Sequence, residues 1–162
     1  MPETTVKGRI NADGCFYAQG LRFSCKRCSA CCRHEPGFVF LSNKDVAALE
    51  DALKLSHDDF MDQYCRWVPD DDGKRKLSLK EKLNYDCILW AKGGCRVYEA
   101  RPLQCVTFPF WPSVLKDEDN WEMTARECPG MNQGLSHSPG SIEKWLSIRQ
   151  NEPIIEQFPE PL

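Results

Sequence analysis

The sequence predicts an α+β fold: a small compact single domain of short helices and hairpins organised around a cysteine metal cluster. Three observations carry this reading. Ten cysteines stand among 162 residues, and four of them, Cys25, Cys28, Cys31 and Cys32, fall in one run, SCKRCSACCRH. Segments with helical periodicity alternate with short alternating segments and turn signals. No internal repeat or low-complexity linker divides them, and the length suits one domain with its own core.

The elements follow in chain order. Residues 1–22 read as an irregular lead-in, 23–150 as the metal-binding domain and 151–162 as an irregular tail. After the cysteine run, Glu35-Pro36-Gly37 marks a turn and residues 38–41 a short strand. Ser42 is a helix N-cap with Asp45 three residues on, and Val46, Leu49 and Leu53 follow at helical spacing. Ser56 with Asp59 repeats the signal for a second helix to about Cys65. Pro69 to Gly73 is a turn between two strands of a hairpin, 66–68 and 74–82. The Asp70-Asp71-Asp72 run lacks the ligand spacing of a calcium loop and reads as a solvated turn. Residues 84–90 are predicted to be a buried strand ended by Gly93-Gly94. Residues 95–109 continue as a strand and a short helix, with Pro102 in its first turn. Residues 113–126 read as another hairpin, turning around Lys116-Asp117-Glu118-Asp119-Asn120, and 141–150 as a last helix with Ile142, Trp145, Leu146 and Arg149 on one face.

Charge and hydropathy exclude some partners. The formal net charge of −3 offers no basic excess for phosphate backbones, so no nucleic-acid partner is expected. No apolar stretch is long enough to span a bilayer, so no membrane partner is expected either. The opening residues are polar and lack an apolar signal core, so a cytoplasmic location is expected. The chain is expected to be a monomer, and the partner this leaves room for is a protein of unspecified identity.

In a reducing compartment a dense thiol pattern points to metal or redox chemistry, not to disulfides. A Cys-x2-Cys turn brings two sulfurs within reach of one soft metal ion or of neighbouring irons in a cluster. Cys87, Cys95 after Gly93-Gly94, Cys105 and Cys128 before Pro129-Gly130 raise the candidate metal ligands to eight. Adjacent side chains point apart, so Cys31 and Cys32 are expected to serve two different sites, or one of them is a packing residue. Cys25, Cys28 and one of the pair would hold one site. The other would face a second, with some of the later cysteines. Cys15 and Cys65 have no partner at ligand spacing and read as buried thiols. His34 reads as a surface or supporting residue, and Arg101 either supports the cluster or pairs with Glu99. The triple Cys-x2-Cys-x2-Cys spacing leans to an iron–sulfur cluster of the 4Fe–4S type, with one or two zinc ions as the alternative.

The pattern resembles the CxxCxxCC, or YkgJ-like, cysteine-cluster family, described as zinc- or iron-chelating domains. The matching pieces are FSCKRCSACCRH at 23–34, the strand and capped helix through Leu49, Cys87-Ile88-Leu89, CRVYEARPLQC at 95–105, Phe108-Pro109 and Cys128-Pro129-Gly130. The family often carries Gly after the second cysteine of the string, where this chain has Ser29. The resemblance implies metal binding through the eight matched cysteines, and no substrate. A related cysteine cluster accompanies methyl transfer in flagellin lysine methylases, but no Gly-rich strand–loop–helix for S-adenosylmethionine is present here.

Two function classes follow. One is a metal-binding protein whose centre is structural, redox-active or an assembly module for a partner. The other is a metal-dependent enzyme, or an accessory subunit of a methyltransferase-like modifying system. No catalytic residue is named: no Ser/His/Asp arrangement, HExxH or phosphate loop is present. The first class is favoured, because a full set of thiolates leaves a metal no open position.

Overall fold

In the computed structural model, which describes residues 15–158, the elements run in this order: β1 (Leu21–Phe23), a 3-10 turn (Ala30–Cys32), α1 (Asn43–Leu53), α2 (His57–Tyr64), β2 (Cys65–Pro69), β3 (Arg75–Leu79), β4 (Trp90–Ala91), β5 (Gly94–Cys95), a second 3-10 turn (Tyr98–Ala100), α3 (Leu103–Thr107), α4 (Glu118–Glu127), β6 (Met131–His137), α5 (Pro139–Asn151) and β7 (Glu156–Gln157). This is a mixed α+β chain with short antiparallel sheets, as expected. The described residues divide into two units. One joins the described residues through Cys28 to Pro109–Ile148, the other joins Ser29–Phe108 to the described residues from Arg149.

In the first unit β1 pairs antiparallel with β6, Leu21 opposite His137, with a register shift before Phe23 meets Met131. Phe110 stacks on Trp121 and meets Phe23 edge-on. Tyr17, Leu115, Met131 and Ile142 are buried with them. The predicted hairpin over 113–126 is not present. Asp117 accepts the N–H of Asn120 as an N-cap, and Glu118 and Asp119 sit where the helix dipole favours acids, so the segment winds into α4. The acidic cluster read as a turn is the start of this helix.

In the second unit the capping box at Ser42 forms as predicted: its hydroxyl accepts the Asp45 N–H, and the Asp45 carboxylate accepts the Ser42 N–H. Ser56 caps α2 by its hydroxyl alone, which accepts the Asp59 N–H and donates to the Asp59 carboxylate. β2 and β3 form the predicted hairpin, Cys65 opposite Leu79 and Pro69 opposite Arg75. Leu41, Leu49, Phe60, Leu77, Leu79 and Leu89 are buried in its core. Two expectations change here. Residues 84–90 do not run as a strand, because Tyr85 takes a left-handed φ of 67° and the Asn84 side chain accepts the Asp86 N–H. The tail is not wholly irregular: β7 adds to the hairpin, Arg75 opposite Gln157. Residues 1–14 of the lead-in lie outside the described residues.

Candidate metal centre

The cysteine string is folded by its backbone. Arg27, Ser29 and His34 all have positive φ, 54°, 67° and 78°. The first of these bends turns the Arg27 N–H toward the Cys25 sulfur, 3.4 Å away. An amide aimed back at a ligand sulfur suits a metal-bound thiolate, whose charge it stabilises. Ser29 stands in the left-handed region that glycine occupies without cost, which accounts for the Gly that the family often has there. The next residues wind into the 3-10 turn, closed by Cys32 N–H to the Ser29 carbonyl at 2.9 Å.

That turn bears on the expectation for the adjacent pair. The sulfurs of Cys31 and Cys32 are 3.8 Å apart. With zinc–sulfur bonds of about 2.3 Å, two corners of a thiolate tetrahedron are separated by about 3.8 Å. The 3-10 backbone and side-chain rotation bring the two sulfurs together, so adjacency alone does not force them to separate sites.

In the second unit five candidate ligands share one electrostatic neighbourhood. The Cys32 thiol is pushed up by its bond with Cys31, by burial, and by the charges of Cys31, Cys105 and Cys87. Burial raises Cys105, and Cys87, Cys31 and Cys95 add to it. Burial also raises Cys87, with Cys95 contributing. Cys31 moves the other way, to about 7, because Cys32 bonds to its charged form and Arg101 lies nearby. These are the opposing effects expected when several acidic thiols crowd together. A cation among them would reverse the raised values. Among the described residues no three Cys, His, Asp or Glu side chains already converge on one ion position.

The residues around the thiols are joined by a set of hydrogen bonds that the sequence did not single out. The Cys87 N–H donates to the Cys32 carbonyl at 2.7 Å. One residue along each segment, Arg33 Nε donates to Asp86 Oδ1 at 3.2 Å, and its guanidinium lies 3.7 Å from the centre of the Trp90 ring. Asp86 is 2% exposed. Its burial acts to raise its pKa, but the Arg33 and Asn84 bonds outweigh that and hold it below the ordinary carboxylate value. β4 and β5 then place Trp90 opposite Cys95. α3, which carries Cys105, is fastened by the two residues that precede it. Asp45 accepts the Leu103 N–H at 2.9 Å. The Gln104 amide donates to the Phe38 carbonyl at 2.8 Å and accepts the Phe40 N–H at 3.0 Å. The capping box was the one sequence signal that pointed at Asp45.

The first unit holds the other three candidates. Cys25 and Cys28 are exposed and Cys128 is half-buried. The Ser24 N–H donates to the Gly130 carbonyl at 3.1 Å, and the Leu135 N–H donates to Ser24 Oγ at 2.8 Å. A Cβ on Gly130 would stand 2.4 Å from the Ser24 carbonyl oxygen, and one on Gly134 2.1 Å from Ser24 Oγ. Only glycine fits at either place, and the residue before Cys25 is thereby held beside the segment that follows Cys128.

The remaining residues sort as follows. Cys65 is buried as expected and its thiol is pushed up to about 11 by burial. Cys15 is half-buried, not buried, and lines a cleft of about 270 Å³ with Tyr17, Leu115 and Lys116. His34 is exposed, His57 pairs with Glu50 at 2.6 Å, and His137 bonds the Phe23 carbonyl at 2.9 Å. Arg101 lies 3.6 Å from the Tyr98 ring centre and donates to the Tyr98 carbonyl at 2.9 Å.

Residues 24–129 match the CxxCxxCC family, described as "Putative zinc- or iron-chelating domain". The chain belongs to this family. It is also 26% identical over 121 residues to an uncharacterized protein of Methanocaldococcus jannaschii; the match covers 72% of this chain and 39% of that relative. The chain thus spans about two fifths of the length of that relative. No solved structure matches the chain at a significant level. No helix among the described residues is long and apolar enough to cross a membrane.

Proposed function

We propose that this chain is a metal-binding module, with Cys25, Cys28, Cys31, Cys32, Cys87, Cys95, Cys105 and Cys128 as its thiolate ligands. The observation that carries this is the gathering of five thiols from separate segments of the second unit into one charged neighbourhood, braced by backbone bonds such as Cys87 to Cys32. The raised values of Cys32, Cys87 and Cys105 disfavour their thiolates, and a bound cation, which holds the sulfurs as thiolates, reverses that preference. The centre serves as a structural, redox or assembly element for a protein partner in the cytoplasm, and the chain acts as a monomer.

Two cofactors are supported by different features. The triple Cys-x2 spacing supports an iron–sulfur cluster. The 3.8 Å separation of the Cys31 and Cys32 sulfurs supports a single tetrahedral ion of the zinc type, because a cubane gives each thiolate its own iron. A centre with all positions filled by thiolate supplies fold stability or electron transfer, not an open position for substrate.

The deciding experiment is anaerobic purification, followed by a visible spectrum and determination of iron, acid-labile sulfide and zinc per chain. Brown protein with iron and sulfide in similar amounts identifies clusters. Colourless protein with zinc identifies the single-ion centre. Metal-free protein with paired disulfides would overturn the proposal.

A further inference from the structure

Leu83 is 104% exposed and Tyr85 49% exposed. They stand at the tip of a tight loop between Lys82 and Asp86. The Tyr85 N–H donates to the Lys82 carbonyl at 2.9 Å, and the Lys82 N–H donates to the Asp86 carbonyl at 2.7 Å. Loops of this kind end on a left-handed residue, and glycine is the usual choice. Here Tyr85 holds that position, with a φ of 67°. Asn84 ties the tip down: its amide donates to Asp86 Oδ2 at 3.0 Å, and its side-chain carbonyl accepts the Asp86 N–H at 3.3 Å. The loop thus presents two large side chains to solvent, one of them at a backbone cost that glycine would avoid.

The unmatched charge beside the tip has one sign. From Lys80 to Val97 the chain carries Lys80, Lys82, Lys92 and Arg96 against two acids, Glu81 and Asp86. Both acids are matched by arginines of other segments, Glu81 by Arg66 at 3.4 Å and Asp86 by Arg33 at 3.2 Å. Lys80 and Lys82 meet neutral backbone carbonyls, those of Asp62 and Trp90. The second bond sets the loop beside the β4–β5 hairpin, where Lys92 and Arg96 are exposed. The whole chain is net −3, so this positive face is local. Exposed apolar side chains next to unmatched cations complement a protein surface of the opposite kind. Two side chains are a small anchor for a lipid surface, and phosphates offer no pocket for a leucine.

We propose that this tip is the docking surface for a protein partner that offers an apolar pocket rimmed by Asp or Glu carboxylates. Leu83 and Tyr85 enter the pocket, and Lys82, Lys92 and Arg96 meet the rim. The inference rests on the reading of the chain as a metal module for a protein partner, and it gives that partner a chemistry and a place. Asp86 and Cys87 follow the tip directly, and the Cys87 N–H donates to the Cys32 carbonyl at 2.7 Å. A partner seated on the tip therefore lies next to the segment that carries a candidate ligand.

The test is site-specific photocrosslinking of the full chain. A benzophenone amino acid would replace Leu83, Tyr85 or, as a control, the exposed Met123 of α4. Each chain is irradiated in an extract of its source cells, and the adducts are identified by mass spectrometry. Each adduct protein is then purified and titrated with the parent, Leu83→Ser, Tyr85→Gly and the double variant Lys92→Glu/Arg96→Glu. The sites at Leu83 and Tyr85, but not the one at Met123, should capture the same protein, crosslinked beside acidic residues. Its binding should weaken with salt, and Leu83→Ser and the charge reversal should each weaken it about tenfold or more. Tyr85→Gly should weaken it too, while melting at least as high as the parent. Metal per chain should match the parent in every variant. The absence of an adduct overturns the inference, as do adducts only with lipid, nucleic acid or a second copy of this chain. Binding indifferent to Leu83→Ser or to the charge reversal, or docking lost only where metal is lost too, also overturns it. A parent without metal overturns the metal-centre reading instead, and the titrations still decide the docking surface.

Discussion

The backbone N–H of Cys87 donates to the carbonyl of Cys32 at 2.7 Å, so two candidate ligands far apart in sequence are joined through their peptide groups. The next residues tighten the join through Arg33, Asp86 and Trp90. The polypeptide itself therefore holds these two segments together.

Asp86→Ala tests that join. It removes the acceptor for Arg33 and for the Asn84 amide. The thermal midpoint should fall, and the metal retained per chain after gel filtration should fall with it. Arg33→Lys should have a smaller effect in the same direction, since it keeps the charge and loses the planar stack on Trp90. Unchanged metal retention in both variants would sink the idea that this pair positions ligands.

Asp45→Ala should be costlier than an ordinary cap deletion. It loses the α1 capping box and also leaves the Leu103 N–H at the start of α3 without its acceptor. A cap contributes about 1 kcal/mol and an abandoned half-buried donor about 1–3 kcal/mol, so urea unfolding should show a loss of about 2–4 kcal/mol. Asp45→Asn, which keeps one acceptor oxygen, should lose less.

Ser29→Gly should stabilise the chain. Ser29 holds a φ of 67°, where a side chain costs about 1–2 kcal/mol and glycine none, less the roughly 0.5–1 kcal/mol of extra freedom glycine loses on folding. A net gain of up to about 1 kcal/mol in chemical denaturation is expected, whereas Ser29→Val should destabilise.

Stability without metal should depend on pH in two windows, measured by melting under reductant. Cys31 is lowered from 9.0 to about 7, so the folded chain holds fewer protons there than the unfolded chain. Its contribution is present above pH 9 and lost as pH falls through about 7. Cys65 is raised from 9.0 to about 11 by burial, and its contribution is present below pH 9 and lost as pH rises through about 11. Cys32, Cys87 and Cys105 are raised too and add to the alkaline loss. Melting should therefore fall above pH 9. Cys65→Val should flatten that limb in part without changing metal content.

Local signals that agreed with their surroundings were legible in the sequence. Ser42 with Asp45, Ser56 with Asp59, the turn from Asp70 to Gly73 and the apolar face of α5 all carry their own instruction. Segments 84–90 and 113–126 were misread for opposite reasons. An apolar run lost its strand to one left-handed residue, Tyr85, and an acidic cluster taken for a turn was a helix start at Asp117. β7 has no local signature, because only its pairing with β3 defines it. The eight thiols could be named from spacing, and the family match covers them. Their company could not: Asp86 stands apart from the cysteine strings, Arg33 and Gln104 stand inside them without ligand chemistry of their own, and their roles become visible only through bonds made across the fold.

The fit of Gly130 and Gly134 against Ser24 has a kinetic meaning. Ribbon pairing of β1 with β6 holds the stretch that precedes Cys25 beside the stretch that follows Cys128. An ion reaching those sulfurs need not wait for the chain to search for its own ends. Capture there should follow encounter and ligand exchange, with loop-closure entropy already met at the moment of folding. A side chain introduced at either glycine would turn that prompt uptake into a slow one, even where the final complex still formed.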